Sequence, residues 1–128
     1  MNSSPSLACR GRILVVEDET DLARLFAEVL GSAGYAVVAA DSVTDALSTL
    51  AYERVDAAVL DIELRDGPVF PVADRLAAQG TPFLFASAVY VQMVPRQYQG
   101  TPFIGKPFEI ADLLARVEAA VHTAGTAC

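Results

Sequence analysis

The chain has 128 residues, 53% of them hydrophobic and 20% charged, enough to bury one core without disulfides and too few for a second domain. Sixteen acidic residues against nine basic give a net charge of −7, which repels phosphate backbones and argues against direct nucleic-acid binding. No apolar run approaches the roughly 20 residues of a membrane-spanning helix, and residues 1–11 lack the apolar stretch of a secretory signal, so the expectation is a cytoplasmic protein. The two cysteines, Cys9 and Cys128, have no metal-ligand spacing and read as free thiols of a reducing compartment.

Residues 1–11 form a small, polar arm and residues 123–128 a tail, leaving 12–122 as the folded unit. Ile13-Leu14-Val15-Val16 is an unbroken apolar run, the mark of a strand covered on both faces. Leu22, Leu25, Phe26, Val29 and Leu30 recur at helical spacing and are closed by Gly34. A second strand follows over Tyr35 to Ala40, and Ser42 caps a second helix with Asp45 in a capping-box-like position. Val55 to Leu60 predicts the third strand. Pro68 then opens a helix through Val72, Ala73 and Leu76, stopped by Gly80. Pro82 to Ala86 is the fourth strand. The stretch beyond it is ambiguous, and Pro95 argues against one long helix there. Thr101 to Gly105 is the fifth strand, and Ile110, Leu113, Leu114, Val117 and Val121 define the last helix. Alternation of this kind needs crossover connections, hence a doubly wound, five-stranded parallel α/β domain.

Ligands of such sheets bind beyond the carboxyl ends of the strands. The residues there are Glu17 and Asp18 after strand one, Asp61 after strand three, Ser87 after strand four and Lys106 after strand five. Three carboxylates and one ammonium leave a net of about −2, which one divalent ion cancels, and an all-oxygen donor set selects Mg²⁺ or Mn²⁺ over zinc. These parts suit phosphoryl transfer: Asp61 could be the nucleophile, forming an acyl phosphate, with Ser87 and Lys106 donating to the phosphoryl oxygens. Lys106 is the only lysine in the chain, and an X-Pro bond such as Lys106-Pro107 is trans by default. The alternatives are structural: Glu17 and Asp18 favour a helix N-terminus, Phe103 and Tyr90 pack, Phe108 docks the last helix, and His122 sits near a helix C-terminus.

Val15-Val16-Glu17-Asp18, Asp61 at a strand end, Ser87 and Lys106-Pro107-Phe108 together resemble the receiver domain of bacterial response regulators, over residues 12–122. The resemblance implies the flavodoxin-like, CheY-like strand order 2-1-3-4-5 with a short or irregular fourth helix. It implies Asp61 as phosphoacceptor, and Mg²⁺ held by Glu17, Asp18, Asp61 and the Glu63 backbone carbonyl. It further implies Ser87 and Phe103 as switch residues, Lys106 as a phosphate contact, and a cis Lys106–Pro107 bond. Pro82-Phe83-Leu84-Phe85-Ala86-Ser87-Ala88-Val89-Tyr90 is similar to the "FAT GUY" motif of stand-alone receivers, which implies a sensor histidine kinase of the HWE or HisKA2 type or a phosphotransfer protein as donor. Two departures stand out. Arg65 occupies the place of a usual proline in a shortened loop to Asp66-Gly67, and Glu63 stands where the subgroup often has asparagine, implying an altered dephosphorylation rate. The expected function is a phospho-accepting module that is not an enzyme on other substrates and acts through a downstream protein partner or as a phosphate sink. The alternatives are a small Mg²⁺-dependent aspartyl phosphatase and a receiver that works without phosphate.

Overall fold

Strands built wholly of apolar residues cannot leave one face in water, and the computed structural model, which describes residues 10–88 and 94–124, covers both faces of its sheet. The sheet consists of β1 (Arg12–Val16), β2 (Ala36–Ala40), β3 (Ala57–Leu60), β4 (Phe83–Ser87) and β5 (Phe103–Gly105). All neighbours pair in parallel, in the order β2-β1-β3-β4-β5. The helices are α1 (Thr20–Ser32), α2 (Val43–Tyr52), α3 (Phe70–Ala78) and α4 (Ile110–Ala124). This is the five-stranded parallel α/β domain expected from the pattern, in the flavodoxin-like strand order that the resemblance implies.

The two-residue period of the strands sorts the interior into two layers. Leu14, Val16, Leu60 and Phe85 face α2 and α3, meeting Leu50 and Leu76. Ile13, Val15, Val59 and Leu84 point the other way, onto Phe26 and Leu30 of α1 and Leu113 and Val117 of α4. Between β4 and β5 the described residues form no α-helix; a single 3₁₀ turn, Arg96–Tyr98, takes its place. Tyr98 anchors that turn: its ring stacks on Phe70 with centroids 5.9 Å apart, and its hydroxyl donates to Asp74 of α3.

Several details differ from the sequence reading. The proline in the first turn of α3 is Pro71, because Pro68 is taken up in a small antiparallel pairing of Glu63–Leu64 with Gly67–Pro68. Arg10 and Gly11 belong to the fold rather than to an arm. The Arg10 amide donates to the Gly34 carbonyl at 2.8 Å and its guanidinium reaches Glu118 at 2.9 Å, while Gly11 is buried. At the other end α4 takes in Thr123 and Ala124. Leu25 and Ile110, counted into apolar stripes, are exposed. Phe108 stacks on Phe26 at 5.5 Å, so it ties the start of α4 to α1. His122 does lie in the last turn of α4. Cys9, Cys128, Val89 and Tyr90 lie outside the described residues.

This layering predicts a sharp contrast between two substitutions. Leu14→Ala, in the centre of the sheet, is expected to cost about 2–5 kcal/mol, and Ile110→Ala less than about 0.5 kcal/mol. Urea unfolding measures both.

Candidate functional site

Three of the four parallel ladders run one residue past their strands and so fix a polar residue at the same rim. The Glu17 amide donates to the Ala40 carbonyl at 3.0 Å, the Asp61 amide to Val16 at 2.9 Å, and the Lys106 amide to Ser87 at 3.0 Å. The backbone of three candidate site residues is therefore held by the sheet itself. Ser87 is the last residue of β4 rather than the residue after it, and is buried. The Lys106–Pro107 peptide is cis.

The side chains converge. Lys106 Nζ lies 2.9 Å from Glu17 Oε1 and 3.5 Å from Asp61 Oδ2. The second oxygen of Glu17 accepts from the Glu19 amide at 3.1 Å, which spends one of the unpaired N–H groups at the start of α1. Glu17, Asp18 and Asp61 each bring a carboxylate oxygen to within 4.8 Å of the others. Among the described residues no buried side-chain nitrogen or oxygen lacks a partner, so the excess of negative charge is what marks the cluster. The donor set is all oxygen, two of its residues are buried and one partly exposed, and it fits a hard divalent cation.

Burial raises the Glu17 pKa above the ordinary carboxylate value, against the hydrogen bonds from Lys106 and the Glu19 amide that lower it; the Asp61 charge adds to the rise. Burial pulls Lys106 down, but the hydrogen bond to Glu17 and the charge of Asp61 outweigh it, and its pKa is raised. Both groups lose their contribution to stability as pH rises, in separate ranges. Folded Glu17 holds its proton where the unfolded chain has lost it, so its contribution falls as pH rises from the ordinary carboxylate range through the folded value. The contribution of Lys106 is complete below its unfolded pKa of 10.5 and is lost as pH climbs through the raised folded value.

Phe103 is half-buried on β5, its ring 6.5 Å from that of Phe85 and packed against the α2–α3 layer. It shares that face of the sheet with Ser87, two residues beyond Phe85 on the same strand. Glu63 is exposed and sits in the short pairing opposite Pro68.

One feature escaped the sequence reading. Asp66, which the sequence places only in the shortened loop after Asp61, caps α2 from across the structure: Oδ1 accepts from the Val43 amide at 2.9 Å and Oδ2 from the Thr44 amide and hydroxyl, both at 3.0 Å. Ser42, the anticipated cap, covers only Asp45, at 3.0 Å. Asp45 in turn accepts from the amide of Asp41, one residue before the cap. The two backbone N–H groups lower the Asp66 pKa, so its support for the fold is present above the ordinary carboxylate value of 3.8 and is lost as pH falls through the folded value.

Residues 13–118 match the family model described as the response regulator receiver domain. The chain is 32% identical over 124 residues to the uncharacterized transcriptional regulatory protein YkoG of Bacillus subtilis, covering 91% of this chain and 54% of that protein. It is 33% identical over 111 residues to the transcriptional regulatory protein DltR of Streptococcus agalactiae, covering 83% of this chain and 50% of that one. The chain thus spans about half the length of these curated relatives. Among solved structures, the non-phosphorylated HemR receiver domain of Leptospira biflexa superposes with a TM-score of 0.75 at 31% identity, over 86% of this chain and 93% of that one. The response regulator TrrA of Thermotoga maritima, solved with Mg²⁺-BeF, shares the fold with a TM-score of 0.76 at 24% identity, over 85% of this chain and 97% of that one.

Lys106→Met leaves the carboxylates without their ammonium and is expected to move the Glu17 titration further up. Carboxyl-carbon NMR across the acidic range reads the shift.

Proposed function

The chain belongs to the response regulator receiver domain family, and from that premise we propose that Asp61 accepts a phosphoryl group from a histidine kinase or phosphotransfer protein and that the domain signals through the resulting change of state. The observation that carries this reading is the grouping of Asp61 with Glu17, Asp18 and Lys106 at one rim of the sheet. An Asp61 oxygen attacks the phosphorus of a phosphohistidine. An oxygen–phosphorus bond forms, the phosphorus–nitrogen bond breaks, and the imidazole leaves neutral with the electron pair and the proton on its other nitrogen. Lys106 already lies 3.5 Å from Asp61 and is placed to donate to a phosphoryl oxygen there. Ser87, at the end of β4, is the second donor, and its movement toward the phosphoryl group draws Phe103 on the same face, shifting the population between two packings.

Glu17, Asp18 and Asp61, with the Glu63 backbone carbonyl, are the groups that would hold Mg²⁺, and the similarity to a protein solved with Mg²⁺-BeF supports that choice. Bound there, Mg²⁺ neutralises charge on the transferring oxygens. Water attack on the acyl phosphate returns the free carboxylate, and the domain turns over no other phosphoester. Glu63, exposed beside this site, alters the rate of that return. The finer sequence likeness of Pro82 to Tyr90 to the FAT GUY subgroup supports an HWE or HisKA2 kinase as donor, in the cytoplasm, and a protein as the receiver of the signal. The 3₁₀ turn Arg96–Tyr98, which stands among the described residues between β4 and β5, accords with the same subgroup.

Incubation with acetyl phosphate and Mg²⁺ is expected to label the wild type with one phosphoryl group, and Asp61→Asn to abolish labelling. Multiple turnover of phosphomonoesters would instead make the protein a phosphatase, and no labelling by acetyl phosphate or a kinase would make it a phosphate-independent module. Glu63→Asn is expected to change the lifetime of the acyl phosphate severalfold, followed by loss of radiolabel after the donor is removed.

A further inference from the structure

The first turn of α2 presents the amides of Val43, Thr44 and Asp45 with no partners inside the helix. A local cap answers one of them, and Ser42 does so for Asp45. The other two are answered from 22 and 23 residues away, by the two oxygens of Asp66. Asp66 sits at the tip of the loop that leaves Asp61, and the base of that loop is closed by the Val69 amide donating to the Ile62 carbonyl at 2.9 Å. Between tip and base, Glu63 and Leu64 pair with Pro68 and Gly67. Gly67 makes the return possible, since its φ of +132° is backbone that other residues rarely adopt. Arg65 adds an exposed ion pair to Asp41, on the same side and of small weight.

We propose that Asp66 is a positioning residue for the phosphoacceptor site: by clasping the N-terminus of α2 it fixes the loop whose Glu63 backbone carbonyl would serve as a ligand to the cation. The inference rests on the reading of Glu63 given above. Its physical content is that a hairpin held at both base and tip leaves its intervening residues little freedom, and a metal ligand with little freedom costs less entropy to order. The N–H groups that hold Asp66 also favour its ionised form, so the clasp is closed at neutral pH.

Ser42→Ala separates this role from ordinary helix capping, because the Ser42 hydroxyl caps the same turn through the Asp45 amide and not through Asp66. Calorimetric titration with Mg²⁺ is expected to show about tenfold weaker binding in Asp66→Ala and none of that loss in Ser42→Ala. In the metal-free protein the Val69 amide is expected to exchange faster in Asp66→Ala alone. Thr44→Val, which removes only the hydroxyl donor, is expected to shift Mg²⁺ affinity in the same direction by less, and carries the test if Asp66→Ala fails to fold. Equal loss in Asp66→Ala and Ser42→Ala, or unchanged affinity in both Asp66→Ala and Thr44→Val, overturns the clasp and leaves the proposed function standing. A wild type that binds no Mg²⁺ overturns both.

Discussion

A carboxylate as deeply buried as Glu17 is tolerable only because an ammonium answers it, and that single pairing organises the rim of the sheet. Lys106 reaches it from the far end of the chain's topology, across 89 residues, and in doing so comes within 3.5 Å of Asp61. One cation against a cluster of carboxylates leaves the site short of positive charge. The deficit makes it receptive to a hard cation. On the proposed function, the same ammonium that steadies the resting cluster stands where a phosphoryl oxygen on Asp61 would need a donor, and phosphorylation would offer Lys106 a competing partner.

The sheet makes this arrangement inexpensive to hold. Three of its parallel ladders continue one residue beyond the strands, so Glu17, Asp61 and Lys106 are located by backbone hydrogen bonds before their side chains make any contact. Beneath them the two apolar layers are sorted by strand alternation, and the rim residues add nothing to that packing. The polar cluster is supported from below by a core that does not depend on it.

Much of this was legible in the chain because the signals are local. Ile13 to Val16 could hardly be anything but a strand covered on both faces, and a parallel sheet leaves its strand-end residues as the natural candidates for chemistry. What stayed hidden depends on partners far away in sequence. Pro68 and Pro71 both suit a helix start, and only the pairing of Gly67–Pro68 with Glu63–Leu64 decides between them. Asp66 looks like a turn residue until α2 is brought against it, and Phe108 gives no hint that its ring lies on Phe26 of α1. Tyr98 was passed over for the same reason: the Asp74 that receives its hydroxyl lies 24 residues away, on another helix.

The lysine at the rim is alone in its kind, the other eight basic side chains being arginines. Reagents that acylate amines, used to immobilise a protein or attach a dye, therefore find a single side-chain target here, and it lies against Glu17 and Asp61. Coupling through lysine would erase the charge on which the cluster relies, so surface attachment of this domain calls for another chemical handle.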